Sequence, residues 1–472
     1  MKEKLILALD EISEKHIAEA ASGKRSRRRL FLSAVAAVLA VVLVTNLFRL
    51  PMAVPARAIS KASESRLPER PNYDRYRDKE EYRQVYDVYR ASQDAIKLQL
   101  NASMDSLLEF SQESTQLYLD LGEKNPVWSP VNGYIALAMV AEVTDGNSRQ
   151  QLLDALGVSG LEELRSRVGA IWETVYRDDG HEISTIANSL WLDKGLGYNQ
   201  DTMDALSYYH YASVYQTELD SPKAGKALRA WLNNNTGGLL KERVSQSAFP
   251  PKAVLTLAST VYLQSKWVHE FSPSRNTRDT FHSPAGDLEA EFMNKREMQT
   301  NYYWAEDFGA VHLGLKNGCK MWFFLPDADK SVEDVLSDST YLEYLNGKNS
   351  LEGENYKYMK VNLSLPKFDI SSGGDLSDMV KKLGVTDIFD IQASDFTAIT
   401  SDTPVVITAV NQAARVIIDE QGVKAASYIE IPGTGAAAPP EEIIDFILDR
   451  PFVFVIATSQ GVPLFTGVVN QP

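Results

Sequence analysis

Glu420-Gln421-Gly422-Val423-Lys424-Ala425-Ala426-Ser427-Tyr428-Ile429-Glu430-Ile431 runs directly into Pro432-Gly433-Thr434-Gly435-Ala436-Ala437-Ala438-Pro439-Pro440. The two halves have opposed characters. In the first, Val423, Ala425, Ser427, Ile429 and Ile431 are small or apolar, while Lys424, Tyr428 and Glu430 between them are polar or large. That period of two belongs to a strand with one buried face. Gly422, just before it, gives the backbone freedom to pivot. The second half is small, flexible and turn-prone, the composition of an exposed segment open to proteases. A permanent edge strand is the competing reading, and the proline- and glycine-rich half disfavours it. An ordinary exposed loop has no use for the alternation.

Outward from this stretch, strand-like runs recur at 254–263, 321–325, 361–368, 405–418 and 453–457, and helical patterns fall earlier, at 103–121 and 134–140. Helices early and strands late give an α+β class. No repeat with a period of 20–50 residues is present.

Chemistry-bearing motifs are scarce. The six histidines stand at 16, 181, 210, 269, 282 and 312. His181-Glu182 and His269-Glu270 open like a zinc helix, but no second histidine follows four residues on. There is no Gly-x-Ser-x-Gly elbow and no phosphate-binding loop. One cysteine, Cys319, sits in an apolar run and reads as a buried, inert thiol. The expectation is a non-enzyme without metal or cofactor. A net charge of −15 argues against nucleic acid as a partner of the main body.

The first 48 residues differ in kind. Residues 1–29 carry eight Lys/Arg and five Asp/Glu, with the basic excess in Lys24-Arg25-Ser26-Arg27-Arg28-Arg29. Residues 30–48 then hold no charge. As a helix this run reaches about 28 Å, near the ~30 Å hydrocarbon thickness of a bilayer. The expected organisation is a cytoplasmic basic segment (1–29), a transmembrane helix (30–48), a polar stalk (49–95) and one large domain (96–472). The basic flank puts the N-terminus inside and the large domain outside. Residues 3–21 form an amphipathic helix that offers a cytoplasmic partner a face. The alternative is a signal peptide cleaved near Ala56-Arg57-Ala58, which would release the domain.

The large domain resembles the serpin family. The resemblance is carried by Leu365-Pro366-Lys367-Phe368-Asp369-Ile370, Leu383-Gly384-Val385-Thr386-Asp387-Ile388-Phe389 and Asp395-Phe396-Thr397, and at the end by Pro451-Phe452-Val453-Phe454 and Pro463-Leu464-Phe465-Thr466-Gly467-Val468-Val469-Asn470-Gln471-Pro472. Ser129-Pro130, Trp231-Leu232-Asn233-Asn234-Asn235-Thr236-Gly237-Gly238 and Val261-Tyr262-Leu263-Gln264-Ser265-Lys266-Trp267 stand in the family's order upstream. The likeness spans about residues 100–472.

It implies three β-sheets, eight to nine helices and an exposed reactive loop over a metastable body. It also implies suicide inhibition: a serine protease acylates itself on the loop, and the cut loop inserts as a strand and deforms the enzyme. Glu420, Gly422, Val423, Ala425, Ala426 and Ser427 fall on the family's hinge. Family spacing puts the residue before the scissile bond sixteen positions after Glu420, so the bond is Ala436–Ala437. Small residues there suit elastase-like or subtilisin-like proteases. Serpins usually carry a histidine ten residues before the hinge glycine, an asparagine in the strand ending at Trp267, and serines in the Ser-Pro segment. Here Gln412, Ser259, Ser129 and Asn132 stand at these positions, a polar cluster beneath the opening sheet with serine and asparagine exchanged.

Overall fold

Why the two closing strands lie in the core follows from their composition. Phe452–Ala457 and Pro463–Val469 are apolar but for Thr466 and buried at every position, the pattern of strands covered on both faces. The helix Pro130–Val143 is likewise apolar on most of its circumference and is almost wholly buried, opening with Pro130 at its first turn. These elements form the interior of a computed structural model that describes residues 56–472, apart from 69–70, 72, 77, 103, 120–123, 179–181, 246, 346–351, 409 and 424–439.

Three sheets are built around them. A six-stranded sheet runs in the order Arg57–Ser60, Ala212–Thr217, Ile183–Asp193, Leu255–Lys266, Gly422–Val423, with Arg177–Asp178 paired to the start of Ile183–Asp193. A ten-stranded sheet carries Gly286–Trp304, Tyr356–Pro366 and the two closing strands, with Ile443–Ile447 parallel to Tyr356–Pro366. The third is a hairpin-like pair, Phe368–Asp375 with Asn411–Ile418. Among the described residues there are eleven α-helices, two of them single turns (Lys241–Val244 and Thr340–Glu343), against the eight to nine expected.

The stretch read as a stalk is part of the body. Arg57–Ser60 pairs antiparallel with Ala212–Thr217, satisfying the backbone of an edge strand. The chain then crosses a receptor built on the buried Glu173 carboxylate. Ser65 Oγ donates to it at 2.5 Å, the Arg66 backbone N–H at 2.8 Å and the Tyr211 hydroxyl at 3.0 Å. The Arg66 guanidinium lies over the Tyr208 ring, 4.1 Å from its centroid. Helix Lys79–Asn101 follows and runs through the expected boundary at 95/96. It packs on Leu161–Val175 by its last turns, where Leu100 is buried and Gln99 donates to the Ser166 carbonyl at 3.0 Å.

The basic segment, the apolar run 30–48 and the amphipathic stretch 3–21 lie outside the described residues. Among the described residues, no helix is long and apolar enough to cross a membrane.

Candidate functional site

Strand Asn411–Ile418 ends in a tight reversal. Asp419 and Gly422 exchange backbone hydrogen bonds at 3.2 and 3.3 Å, and Asp419 Oδ1 accepts from the N–H groups of Gln421 and Gly422. The chain turns back on itself and begins a new strand, Gly422–Val423, antiparallel to the top of Leu255–Lys266. Gly422 lies opposite Lys266 and Val423 opposite Ser265. Only glycine fits this pivot. Gly422 has φ +150°, and a Cβ there would come within 2.4 Å of the Ser265 carbonyl oxygen and 2.5 Å of the Lys266 Cα.

Four neighbours hold the reversal. Trp267, buried, donates its backbone N–H to the Gln421 carbonyl at 3.0 Å and its Nε1–H to the Asp419 carbonyl at 2.8 Å. The Phe271 N–H donates to the Glu420 carbonyl at 2.9 Å. The Glu420 carboxylate meets Lys367 Nζ at 2.7 Å and accepts from Asn276 Nδ2 at 2.6 Å. Burial pushes the Glu420 carboxyl up, but the hydrogen bonds, Lys367's first among them, outweigh it and hold the group below the ordinary carboxylate range. Lys367 also bonds Glu291 at 2.9 Å, so one ammonium joins the hinge to the neighbouring sheet.

Below the pivot lies a cleft. No ladder joins Leu255–Lys266 to Asn411–Ile418 among the described residues. The groove between them is lined by Val261, Leu263, Ala414, Val416 and Val423, and it is floored by Ile456 and Phe465 of the closing strands. Val423 is 5% exposed and belongs to the main core. Beside it Ser265, fully buried, donates its hydroxyl to Glu182 and accepts the Asn317 N–H at 3.0 Å. The arrangement is a two-residue strand seated at the end of a narrow groove between two strands that share no ladder among the described residues.

The four residues of the polar cluster are not all brought together. Asn132, on the buried helix, and Ser259, on the strand above, are in contact: the Ser259 hydroxyl lies 2.7 Å from Asn132 Oδ1 and 2.7 Å from Asn188 Oδ1. Asn188 Nδ2 donates to the His210 carbonyl at 2.7 Å, which turns its oxygen toward Ser259. Asn132 Nδ2 in turn points at the Ser259 carbonyl, 3.5 Å away, so both amide oxygens converge on one hydroxyl, whose single proton serves one of them at a time. Asn188 has no signal in its local pattern and was not anticipated.

Gln412 and Ser129 belong elsewhere. Gln412 Nε2 reaches the Val127 carbonyl at 3.4 Å, near Ser372 and Tyr118, and its Oε1 has no hydrogen-bond partner among the described residues. The Ser129 hydroxyl donates to the Leu464 carbonyl at 2.6 Å. Ala425, Ala426, Ser427 and the Ala436–Ala437 bond lie outside the described residues. Those residues contain no group of three or more His, Cys, Asp or Glu placed to hold a metal ion.

Residues 106–472 match the family described as "Serpin (serine protease inhibitor)". The chain is 26% identical over 373 residues to the leukocyte elastase inhibitor of Homo sapiens, covering 75% of this chain and 96% of that one. It is 28% identical over 370 residues to Serpin-Z7 of Hordeum vulgare, covering 74% and 90%. Among solved structures, the thermophilic serpin tengpin in its native state superposes with a TM-score of 0.68 at 25% identity, over 78% of this chain and 93% of that one. Thyroxine-binding globulin in complex with thyroxine superposes at 0.66 with 20% identity, over 78% and 99%, which is a likeness of fold. The match runs through the sheets, the buried helix, the hinge and the closing strands, and on it the chain belongs to the serpin family.

Proposed function

We propose that this serpin is a suicide inhibitor of serine proteases that cut after small residues, the elastase-like and subtilisin-like kinds. The protease's serine Oγ attacks the Ala436 carbonyl carbon, and the amide bond to Ala437 breaks. The serine proton passes through the protease's own base to the departing amine of Ala437, leaving Ala436 esterified to the enzyme. The freed loop then follows its first two residues into the cleft and carries the enzyme with it before water reaches the ester.

The observation that supports this reading is the Gly422–Val423 strand, already paired with the end of Leu255–Lys266 where that strand has no ladder to Asn411–Ile418 among the described residues. Continuing its register sets Lys424 opposite Gln264 and Ile431 opposite Thr256's neighbour Leu257. Pro432, which has no N–H, then falls opposite Thr256 beside the strand's first residue, Leu255. The insertable alternation therefore ends where the slot ends. Ala425, Ser427, Ile429 and Ile431 share the inward face with Val423, and Ile429 comes to rest over Ser259.

For the N-terminal part, we propose that residues 30–48 cross the membrane, leaving residues 3–21 to a cytoplasmic partner and the serpin domain outside. Full-length chain would then fractionate with membranes, and protease added to intact cells would remove the domain. A soluble form beginning near Ile59 would point to signal cleavage instead.

Incubation with elastase-like, subtilisin-like and trypsin-like serine proteases tests the inhibitory reading. A covalent band that survives SDS and boiling with the first two, and a cut mapped to Ala436–Ala437, is the expected result. Rapid cleavage by all three without a covalent band would favour a serpin that binds without trapping.

A further inference from the structure

Strand Ile443–Ile447 begins six residues past Ala437 and has two unlike faces. Its inner residues Phe446 and, just beyond it, Leu448 are buried. Its outer row reads Glu441, Ile443, Asp445, Ile447, all exposed, with the two isoleucines 52% and 45% open to solvent. One edge pairs with Tyr356–Pro366, and the other carries no strand among the described residues. The nearby cations are occupied: Lys357 bonds Glu442 at 2.7 Å and Lys360 meets Glu297 at 3.1 Å. Asp445 accepts only an amide hydrogen from Asn362, at 2.8 Å, and neither Glu441 nor Asp445 has an ion-pair partner among the described residues. The result is a ridge on which uncompensated carboxylates alternate with exposed branched side chains. Within a protein this row contributes nothing to the core; as a contact surface it combines apolar area with net negative charge.

We infer that this ridge is a secondary docking strip for the target protease. It would select enzymes with cationic groups flanking an apolar patch beside the primed side of their cleft. The inference rests on the proposed bait bond. Six residues of extended chain span at most ~20 Å, and a standard interface of about 800 Å² per partner is roughly 30 Å across. An enzyme engaged at Ala436–Ala437 therefore reaches the near end of the ridge, at Glu441 and Ile443, and a modest extension of the contact takes in the rest. Charges at such a rim act mainly on the rate of encounter, while the isoleucines act on the lifetime of the encounter complex.

The test uses full-length protein in detergent and two serine proteases that cut after alanine, one with a cationic surface and one anionic. Association rates are measured at low and physiological salt. The cationic enzyme should be trapped faster, with a rate that falls as salt rises. The Glu441→Lys/Asp445→Lys double variant should lose on the order of tenfold of that rate at low salt and shift preference toward the anionic enzyme, with the same bond cut and unchanged stoichiometry. Ile443→Ser/Ile447→Ser should slow trapping several-fold at every salt concentration. If both variants trap the cationic enzyme at the wild-type rate, the docking strip is refuted while the inhibitory reading stands. If wild-type protein gives no covalent complex with either enzyme, the inhibitory reading falls and the strip falls with it.

Discussion

At the scale of single residues, the proposed function rests on the reversal at Gly422. Backbone of the adjacent strand occupies the place of any Cβ on Gly422, and the Val423 side chain beside it is buried in the core. Replacing Val423 by Arg would press a guanidinium without a counter-charge between Leu263 and Val416, at a cost of several kcal/mol. The hinge strand would leave the slot, and insertion after cleavage would face the same penalty. On the proposed mechanism trapping is a race against deacylation, and each ~1.4 kcal/mol on the insertion barrier slows it about tenfold. Val423→Arg should therefore be cut at the wild-type bond and release active protease, read as a loss of the SDS-resistant band with a gain of cleaved serpin. Lys424→Arg, on the outward side of the alternation, should still trap. Unchanged stoichiometry for Val423→Arg would show that this side chain does not enter the sheet.

Among the elements, the edge strand Arg57–Ser60 and the strap after it form a seam between the central sheet and helix Leu161–Val175, closed on one buried carboxylate. Glu173→Ala would leave the Arg66 N–H and the Tyr211 hydroxyl without their shared acceptor, a loss of about 1–3 kcal/mol. Urea unfolding should report that loss, and limited proteolysis should cut within 56–67 far faster than in the parent. Equal proteolysis would mean that the strand pairing alone holds the strap. This seam was not legible in the sequence, because its strand is four residues long and only long-range bonds specify it. Helix Lys79–Asn101 escaped for a different reason: its stripe of Tyr82, Tyr86, Tyr89, Ile96 and Leu100 is largely tyrosine set among charges, and only Leu100 is buried, so the segment has the composition of a solvated stalk. Its start was readable, since Asp78 caps the N–H groups of Glu80 and Glu81. The closing strands were plain, because burial on both faces gives near-continuous apolar runs. Gly286–Trp304 was not: its outer row is charged, and a bulge at Glu297 with φ +48° breaks the period of two midway. In the site the Gly422–Val423 turn into a strand was visible locally, while the alternation beyond Val423 lies outside the described residues. The Trp267–Asp419 and Lys367–Glu420 bonds, which join distant parts of the chain, leave no local trace.

Across the whole molecule, two properties follow from how these parts are joined. The first is acid sensitivity. Glu142, buried at the end of the core helix, bonds Arg165 at 2.7 Å and His210 Nε2 at 2.9 Å. Burial pushes its carboxyl up, but the hydrogen bonds from His210 and Arg165 win and hold it at about 2, from an ordinary 4.5. A carboxyl depressed in the folded state contributes stability that is complete above pH ~4.5 and lost as pH falls to ~2, here on the order of 3 kcal/mol. Glu142→Gln should be less stable at pH 7 yet lose less between pH 4.5 and 2.5, as unfolding free energies at the two pH values will report; parallel losses would assign the acid sensitivity to other carboxylates. The second property is the slot. The groove between Leu255–Lys266 and Asn411–Ile418 leaves two strand edges without a ladder between them among the described residues, above the apolar side chains of Val261, Leu263, Ala414 and Val416. Filling it with 424–431 would add backbone hydrogen bonds worth about 1 kcal/mol each and bury Ile429 and Ile431 at roughly 2–3 kcal/mol apiece. The sum is on the order of 10 kcal/mol, which is a rise of order 10–20 °C in melting temperature for a domain of this size. Before cleavage, any descent of the loop behind Val423 would have to pull strand Ile443–Ile447 away from Tyr356–Pro366. A catalytic amount of a subtilisin-like protease removes that constraint. Calorimetry of the protein so cut at Ala436–Ala437 should show the cleaved form melting above the intact one by at least that margin, although one covalent bond has been lost. An equal or lower melting temperature would mean that the severed loop stays outside, and that the slot serves binding and not capture.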